Sequence, residues 1–331
     1  MLARKRLGLV LCGALGVGII AALAAHAGLA TVYGALDRVG WFGLAWVCVL
    51  QLVAMAFCAA AWKSVAEDTR FLSCLAARFI RSGVSNLAGI IPAIGEVAGA
   101  RALSLLGAPA GIAAASTVVD VALEALSQGI YTMIGLIPLV FVVHGDELAR
   151  WLGAVAVAIA PIFAVFLVIR RRGALMAAER IIVRIARMLG FSDAGANLDL
   201  TRNVLDIYQR RRRLWLALLL HLAGWFMSAF QLWAAAQALD RPLSPGEALA
   251  LQSVAYAARG AFFFVPGGFG VQEGTFVLVG VVLGVDTASA LALSLILRAR
   301  DLVLGLPAIM LWYTAEGRRR WQLVRVPTSK A

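Results

Sequence analysis

The chain alternates long apolar runs with short polar ones, at lengths that fit a lipid bilayer. Apolar residues fill Leu7–Ala30, Trp41–Trp62, Gly111–Val143, Trp151–Ile169, Leu214–Leu239 and Ala288–Tyr313. A helix needs roughly 20 such residues to cross the hydrocarbon core, so six transmembrane helices are expected. Between Phe71 and Ile80 the apolar residues sort to one face, with Arg70, Arg78 and Arg81 on the other. That pattern predicts a helix lying in the membrane interface. Two further apolar stretches are interrupted. One runs from Ser82 through Pro92, Gly95 and Glu96 to Gly107-Ala108-Pro109. The other, Ala248 to Leu293, is broken at Val265-Pro266-Gly267-Gly268-Phe269-Gly270-Val271-Gln272-Glu273-Gly274. Proline and clustered glycine do not continue a helix. Backbone groups freed inside a bilayer are tolerated only against protein or a water-filled cavity. Each broken stretch is therefore expected as a re-entrant hairpin lining a polar site; hydropathy leaves open two short spans each, eight in total. The fold class is an all-α polytopic membrane protein.

Spacing hints at an internal repeat. Pro92 and Pro266 are 174 residues apart, whereas Glu96 and Glu273, and Glu124 and Asp301, are each 177 apart. Each half reads as two helices, a Pro/Gly-broken hairpin ending in Glu, and a long helix carrying an acid. One integral membrane domain over 1–331 is expected, with half-repeats 1–144 and 145–320, a basic insert 170–213 and a tail 321–331. Paired Gly/Pro-interrupted segments in halves of opposite topology are the sequence pointer to a transporter site near the midplane.

Charge supplies the orientation. The net charge is +12, with 62% hydrophobic and 15% charged residues. Basic residues cluster between apolar runs: Arg4-Lys5-Arg6, Lys63–Arg81, Arg170–Arg213 and Arg318–Arg325. With both termini in the cytoplasm, all four fall on one side, as the positive-inside rule requires. That distribution argues against a nucleic-acid partner. Arg180, Arg184 and Arg187 share a helical face, which fits either an amphipathic helix on an anionic leaflet or a solvated basic loop. Leu7–Ala25 is too long for the apolar core of a signal peptide, so an uncleaved first helix is expected. Trp41, Trp46, Trp62, Trp151, Trp215, Trp312 and Trp321 lie near span ends and read as an aromatic belt.

The candidate chemistry sits at the breaks. Glu96 and Glu273 fall in the first turn of the half-helices that leave them, as capping carboxylates or as substrate or proton contacts. Gly267, Gly268 and Gly270 let the backbone approach a ligand at a helix N-terminus, which favours anions. Asp120 and Glu124 share a stripe with Gln128. Arg298, Arg300 and Asp301 are expected to pair with one another or with Glu273, since charges at that depth normally pair. Arg259 is a candidate to hold a phosphate or carboxylate, or to form a salt bridge. Gly267–Gly270 lacks the strand and the second half of a dinucleotide fold, and no Walker lysine follows a glycine run. His26, His144, His221 and the four cysteines show no metal-ligand spacing. No cofactor is expected.

The second break, Pro266-Gly267-Gly268-Phe269-Gly270-Val271-Gln272-Glu273, resembles the P-G-G-x-G-x-x-E signature of a flippase-like family. That family includes the transmembrane part of bacterial lysylphosphatidylglycerol synthase. Asn86 and Pro92-Ala93-Ile94-Gly95-Glu96 resemble its other motif. The likeness covers about residues 5 to 320 and, without a following aminoacyl-transferase domain, implies the translocating half of the synthase. In overall pattern the chain is also similar to hopanoid-associated membrane proteins. Many relatives carry a basic residue one turn after the first Glu; here Arg101 comes five residues on. The resemblance implies a non-enzymatic lipid flippase of the bacterial inner membrane, which moves hopanoids or other polar-headed lipids. Its site would be Asn86, Pro92, Gly95, Glu96, Asp120, Glu124, Arg259, Pro266, Gly267, Gly268, Gly270, Glu273, Arg298 and Asp301. Membrane lipids are the expected partners, with lipid-biosynthesis enzymes at the cytoplasmic face. The alternatives are a membrane transferase acting on lipid headgroups, or a non-catalytic scaffold of a lipid-biosynthesis complex.

Overall fold

A computed structural model describes residues 29–88, 93–142, 153, 199–239, 243–262 and 265–325. Among these residues every regular element is helical: α1 (Leu29–Val65), α2 (Phe71–Ala88), α3 (Ile94–Leu105), α4 (Ala110–Gly135), α5 (Ile137–Val142), α6 (Leu200–Gln209), α7 (Arg211–Gln237), α8 (Pro245–Ala261), a 3-10 turn (Pro266–Gly268), α9 (Val271–Val282) and α10 (Thr287–Arg325). Three of the described helical stretches are long and apolar enough to cross a membrane: Val39–Val65, Ala110–Phe141 and Arg211–Gln237. The expected spans Leu7–Ala30 and Trp151–Ile169, and the Arg180–Arg187 face, lie almost wholly outside the described residues. The last expected span is part of the longer α10, whose middle carries buried Arg298, Arg300 and Asp301.

Two apolar clusters occupy opposite ends of the bundle. One joins Val65 of α1, Cys74 of α2, Leu103 of α3, Ala113 of α4, Leu200 of α6 and Ala217 of α7. The other joins Val39 of α1, Leu136 after α4, Leu239 after α7, Ala248 of α8, Val279 of α9 and Leu293 of α10. Hairpin α2–α3 begins and ends in the first cluster, and hairpin α8–α9 in the second. Both are therefore re-entrant, and they open at opposite ends. The outgoing half-helices hold 12 residues each. At 1.5 Å per residue that is about 18 Å, well short of the roughly 30 Å hydrocarbon core.

Local chemistry repeats between the hairpins. Half-helix α3 starts from Ala93 at φ 65°, and α9 from Gly270 at φ 79°. Each carries Glu at its third position, Glu96 and Glu273. Each ends on the same pair of backbone bonds: Gly107 N–H to Ser104 and Ala108 N–H to Leu103 in α3, Gly284 N–H to Val281 and Val285 N–H to Gly280 in α9. That is the Schellman pattern, which needs a left-handed residue and takes Gly107 and Gly284. All these positions stand 177 residues apart (93 and 270, 96 and 273, 107 and 284). The incoming arms start at Phe71 and Pro245, 174 apart. Three extra residues therefore fall between arm and half-helix in the second hairpin, which explains both spacings in the sequence.

Three expectations change. Helix α2 does not lie in the interface: Arg81 is buried and Arg78 nearly so, both turned into the bundle. Trp62 is not in an aromatic belt; it is fully buried and its indole N–H donates to Ser116 Oγ at 3.2 Å, while Trp41 and Trp215 are exposed as expected. The polar stretch Asp240–Glu247 is not all turn. Ser244 and Glu247 form a capping box, Ser244 N–H donating to Glu247 Oε2 at 2.7 Å, so α8 starts at Pro245.

Candidate functional site

A cavity of about 280 Å³ opens between the two apolar clusters. Gln51–Cys58 of α1, Glu124 and Gln128 of α4, and Gly224–Ser228 of α7 line it, each near the middle of its span. The cavity is thus at mid-depth. Arg78, Arg81 and Asn86 reach it from α2, Glu96 from α3, Tyr256 and Arg259 from α8, and Arg300 and Asp301 from α10.

One wall is a charge network. Arg78 is bidentate on Glu124, with its Nη1 donating to Oε2 at 2.8 Å. Arg81 Nη1 donates to Asp120 Oδ2 at 2.8 Å and its Nη2 to Glu124 Oε2 at 2.7 Å. Asp120 Oδ1 is 2.9 Å from His221 Nε2, both groups being fully buried. Glu96 stands apart: its carboxylate is 31% exposed and 3.6 Å from Arg81 Nη2. Small residues bring α3 this close. A Cβ at Gly95 would overlap Ser85 Oγ, and one at Gly99 would fall 2.9 Å from Arg81 Cβ.

The facing wall belongs to α10. Arg300 Nη2 donates to Asp301 Oδ1 at 2.7 Å, and its Nη1 reaches Gln51 Oε1 at 2.9 Å and Gln231 Oε1 at 2.5 Å. Asp301 Oδ2 is buried without a hydrogen-bond partner. Between the walls, Arg259 Nη1 donates to Gln272 Oε1 at 3.0 Å and Nη2 to Asn86 Oδ1 at 3.4 Å.

The second break itself is closed on α10. Arg298 Nε donates to Glu273 Oε1 at 2.7 Å, and its Nη1 and Nη2 donate to the carbonyls of Gly267 and Gly268 at 2.6 and 2.8 Å. Its guanidinium lies 4.6 Å from the centre of the Phe269 ring. Glu273 Oε2 takes the Gly270 N–H at 2.7 Å. The φ values of 60°, 62° and 79° at Gly267, Gly268 and Gly270 turn those carbonyls toward the arginine. Glu273 and Arg298 thus satisfy one another and the turn, and neither lines the cavity. Nor does Asp120, which lies behind Arg81.

The geometry of the broken turn and its glutamate can now be set beside known proteins. The chain matches the family described as the lysylphosphatidylglycerol synthase transmembrane region over residues 7–308. It is a member of that family. No curated protein and no solved structure matches it. Members of this family are membrane proteins of lipid metabolism or transport, so this is a multi-pass membrane protein in contact with membrane lipids.

The structure brings Asn86, Glu96, Glu124, Arg259 and Asp301 together at the cavity, and Gly267, Gly268, Gly270, Glu273 and Arg298 at the clamped turn beside it. Pro92 lies outside the described residues, and Pro266 opens the 3-10 turn. Arg101 pairs with Glu316 at 3.1 Å, away from the cavity. Sequence reasoning missed Arg78, Arg81, His221, Gln51 and Gln231. Asp120 and Glu124 carried a signal for the arginines: two acids one turn apart in a membrane span need cations. Cys58, Glu124 and His221 place ligand atoms within 4.8 Å of one another, but the Glu124 oxygens are engaged by Arg78 and Arg81.

Proposed function

We propose that the protein moves polar-headed lipids, hopanoids among them, between the leaflets of a bacterial inner membrane, with both termini in the cytoplasm. The observation that carries this is the charged cavity at mid-depth between two hairpins that open at opposite ends. At about 280 Å³ it suits a headgroup and not a whole lipid, so the acyl chains stay in the bilayer. Glu96 and Asp301 Oδ2 are the carboxylate groups with spare hydrogen-bonding capacity for the headgroup. The two hairpins would rock around the cavity and expose it to each side in turn. No bond is made or broken, which is why translocation is preferred to a transferase reaction.

The test is leaflet exchange in liposomes holding purified protein and a panel of labelled lipids, hopanoid and aminoacylated phospholipid included. Wild type should exchange at least one lipid. Glu96→Gln should slow it by about tenfold, the effect of roughly 1.4 kcal/mol in the barrier. No exchange of any lipid by folded wild type would end the proposal.

A further inference from the structure

Four arginines line the cavity: Arg78, Arg81, Arg259 and Arg300. Three of them are matched by carboxylates, Arg78 and Arg81 by Glu124 and Asp120, and Arg300 by Asp301. Among the described residues Arg259 has no carboxylate within 4.0 Å. It donates only to the neutral amides of Gln272 and Asn86. Its side chain is held there by the turn: a Cβ at Gly268 would fall 3.0 Å from its Nε and 3.1 Å from its Cγ. Gln272 is itself fixed, its Nε2 donating to Ser294 Oγ at 3.1 Å. Asn86 lies near the tip of the first hairpin, and Arg259 and Gln272 belong to the second. The 3.4 Å bond to Asn86 therefore ties the two hairpins together, and it is long.

A guanidinium at mid-depth without an anion is costly to keep, and an oxyanion would engage its planar fork with charge-assisted bonds. We infer that Arg259 is the subsite for a phosphate on the lipid headgroup, and that the phosphate displaces Asn86 and unlatches the hairpins. This rests on the reading that the cavity receives a headgroup. It narrows the lipid class from any polar lipid to one bearing a phosphate, ahead of neutral polyol-headed lipids.

The experiment is binding to the purified full chain in detergent, with phosphatidate, diacylglycerol and inorganic phosphate as probes. Phosphatidate should bind more tightly than diacylglycerol. Arg259→Gln should weaken phosphatidate by roughly tenfold or more and leave diacylglycerol unchanged, because only the charge-assisted bonds are lost. Asn86→Ala should tighten phosphatidate by about threefold, since it frees an arginine N–H that otherwise competes. A purely structural Arg259–Asn86 contact gives the opposite sign. Unchanged phosphatidate binding in Arg259→Gln, with an unshifted melting temperature, would overturn the subsite. So would equal loss of both lipids in that variant and in Arg259→Lys, which keeps the charge. Inorganic phosphate saturating the site at lower concentration than phosphatidate would overturn the assignment to a lipid. Leaflet exchange in the same preparations separates the two proposals. Arg259-dependent binding without exchange of any lipid keeps the subsite and removes translocation. Phosphatidate exchange at the wild-type rate in Arg259→Gln keeps translocation and removes the subsite.

Discussion

Glu96 and Glu273 hold the same position in their half-helices, yet their surroundings differ. Glu273 is fully buried, and its two oxygens are used by Arg298 and the Gly270 N–H. Glu96 is 31% exposed, with Arg81 at 3.6 Å. Breaking a buried ion pair on one side costs about 3–5 kcal/mol, because the remaining charge is left unpaired. Glu273→Gln should therefore lower the melting temperature of the detergent-purified protein sharply, and Glu96→Gln should leave it nearly unchanged. Similar shifts in the two variants would contradict the geometry. A loss of transport in Glu273→Gln alone would thus report on folding of the turn, whereas a loss in Glu96→Gln would report on the cavity.

At the scale of elements, what matters is how closely the half-helices approach their neighbours. A Cβ at Gly99 would meet Arg81 Cβ at 2.9 Å and Trp62 at 3.3 Å. Gly99→Ala should push α3 away from α2, disturb Arg81 and cost about 1–3 kcal/mol in thermal unfolding, as overpacking does. Gly274 closes the sequence motif of the second break, yet nothing lies within 4 Å of the position its Cβ would take. Gly274→Ala should be neutral or stabilising by up to about 1 kcal/mol, because alanine is the better helix former. The motif is read in the sequence as one unit, but its glycines do different work. Those at Gly267, Gly268 and Gly270 set the turn, as their positive φ values show. The capping box of Ser244 and Glu247 was also legible from its spacing, and it marks the start of α8.

For the whole molecule, the two hairpins enter from opposite ends and their tips meet beside the cavity, where a Cβ at Gly267 would lie 3.2 Å from the Asn86 carbonyl. The turns that close them, around Leu106 and Asp286, are exposed. In intact cells, Asp286→Cys should react with a membrane-impermeant maleimide, and Leu106→Cys should react only after permeabilisation. Labelling of both from one side would contradict the arrangement. The register of 177 residues that relates the half-helices was visible in the sequence through two pairs of acids. The 174-residue spacing of the prolines belongs to the incoming arms, and only the helix boundaries separate the two values.

By itself the sequence determined the membrane setting, the helical class, the two breaks and the acids that follow them. These depend on local composition and spacing: a run of apolar residues must be buried in lipid, and Pro/Gly clusters must interrupt a helix, whatever surrounds them. Only the tertiary structure decided which charges face the cavity and which are spent on one another. Arg78 and Arg81 looked interfacial because one helix shows two faces but not what covers them. Asp120 and Glu124 on α4 cover the arginines, and that pairing joins residues some 40 positions apart (46 for Arg78 and Glu124). In the same way Arg298 removes Glu273 from the cavity, and the absence of such a partner leaves Arg259 to neutral amides. A charge in a bilayer is defined by its partner, and the partner is chosen by packing between helices that local sequence does not encode.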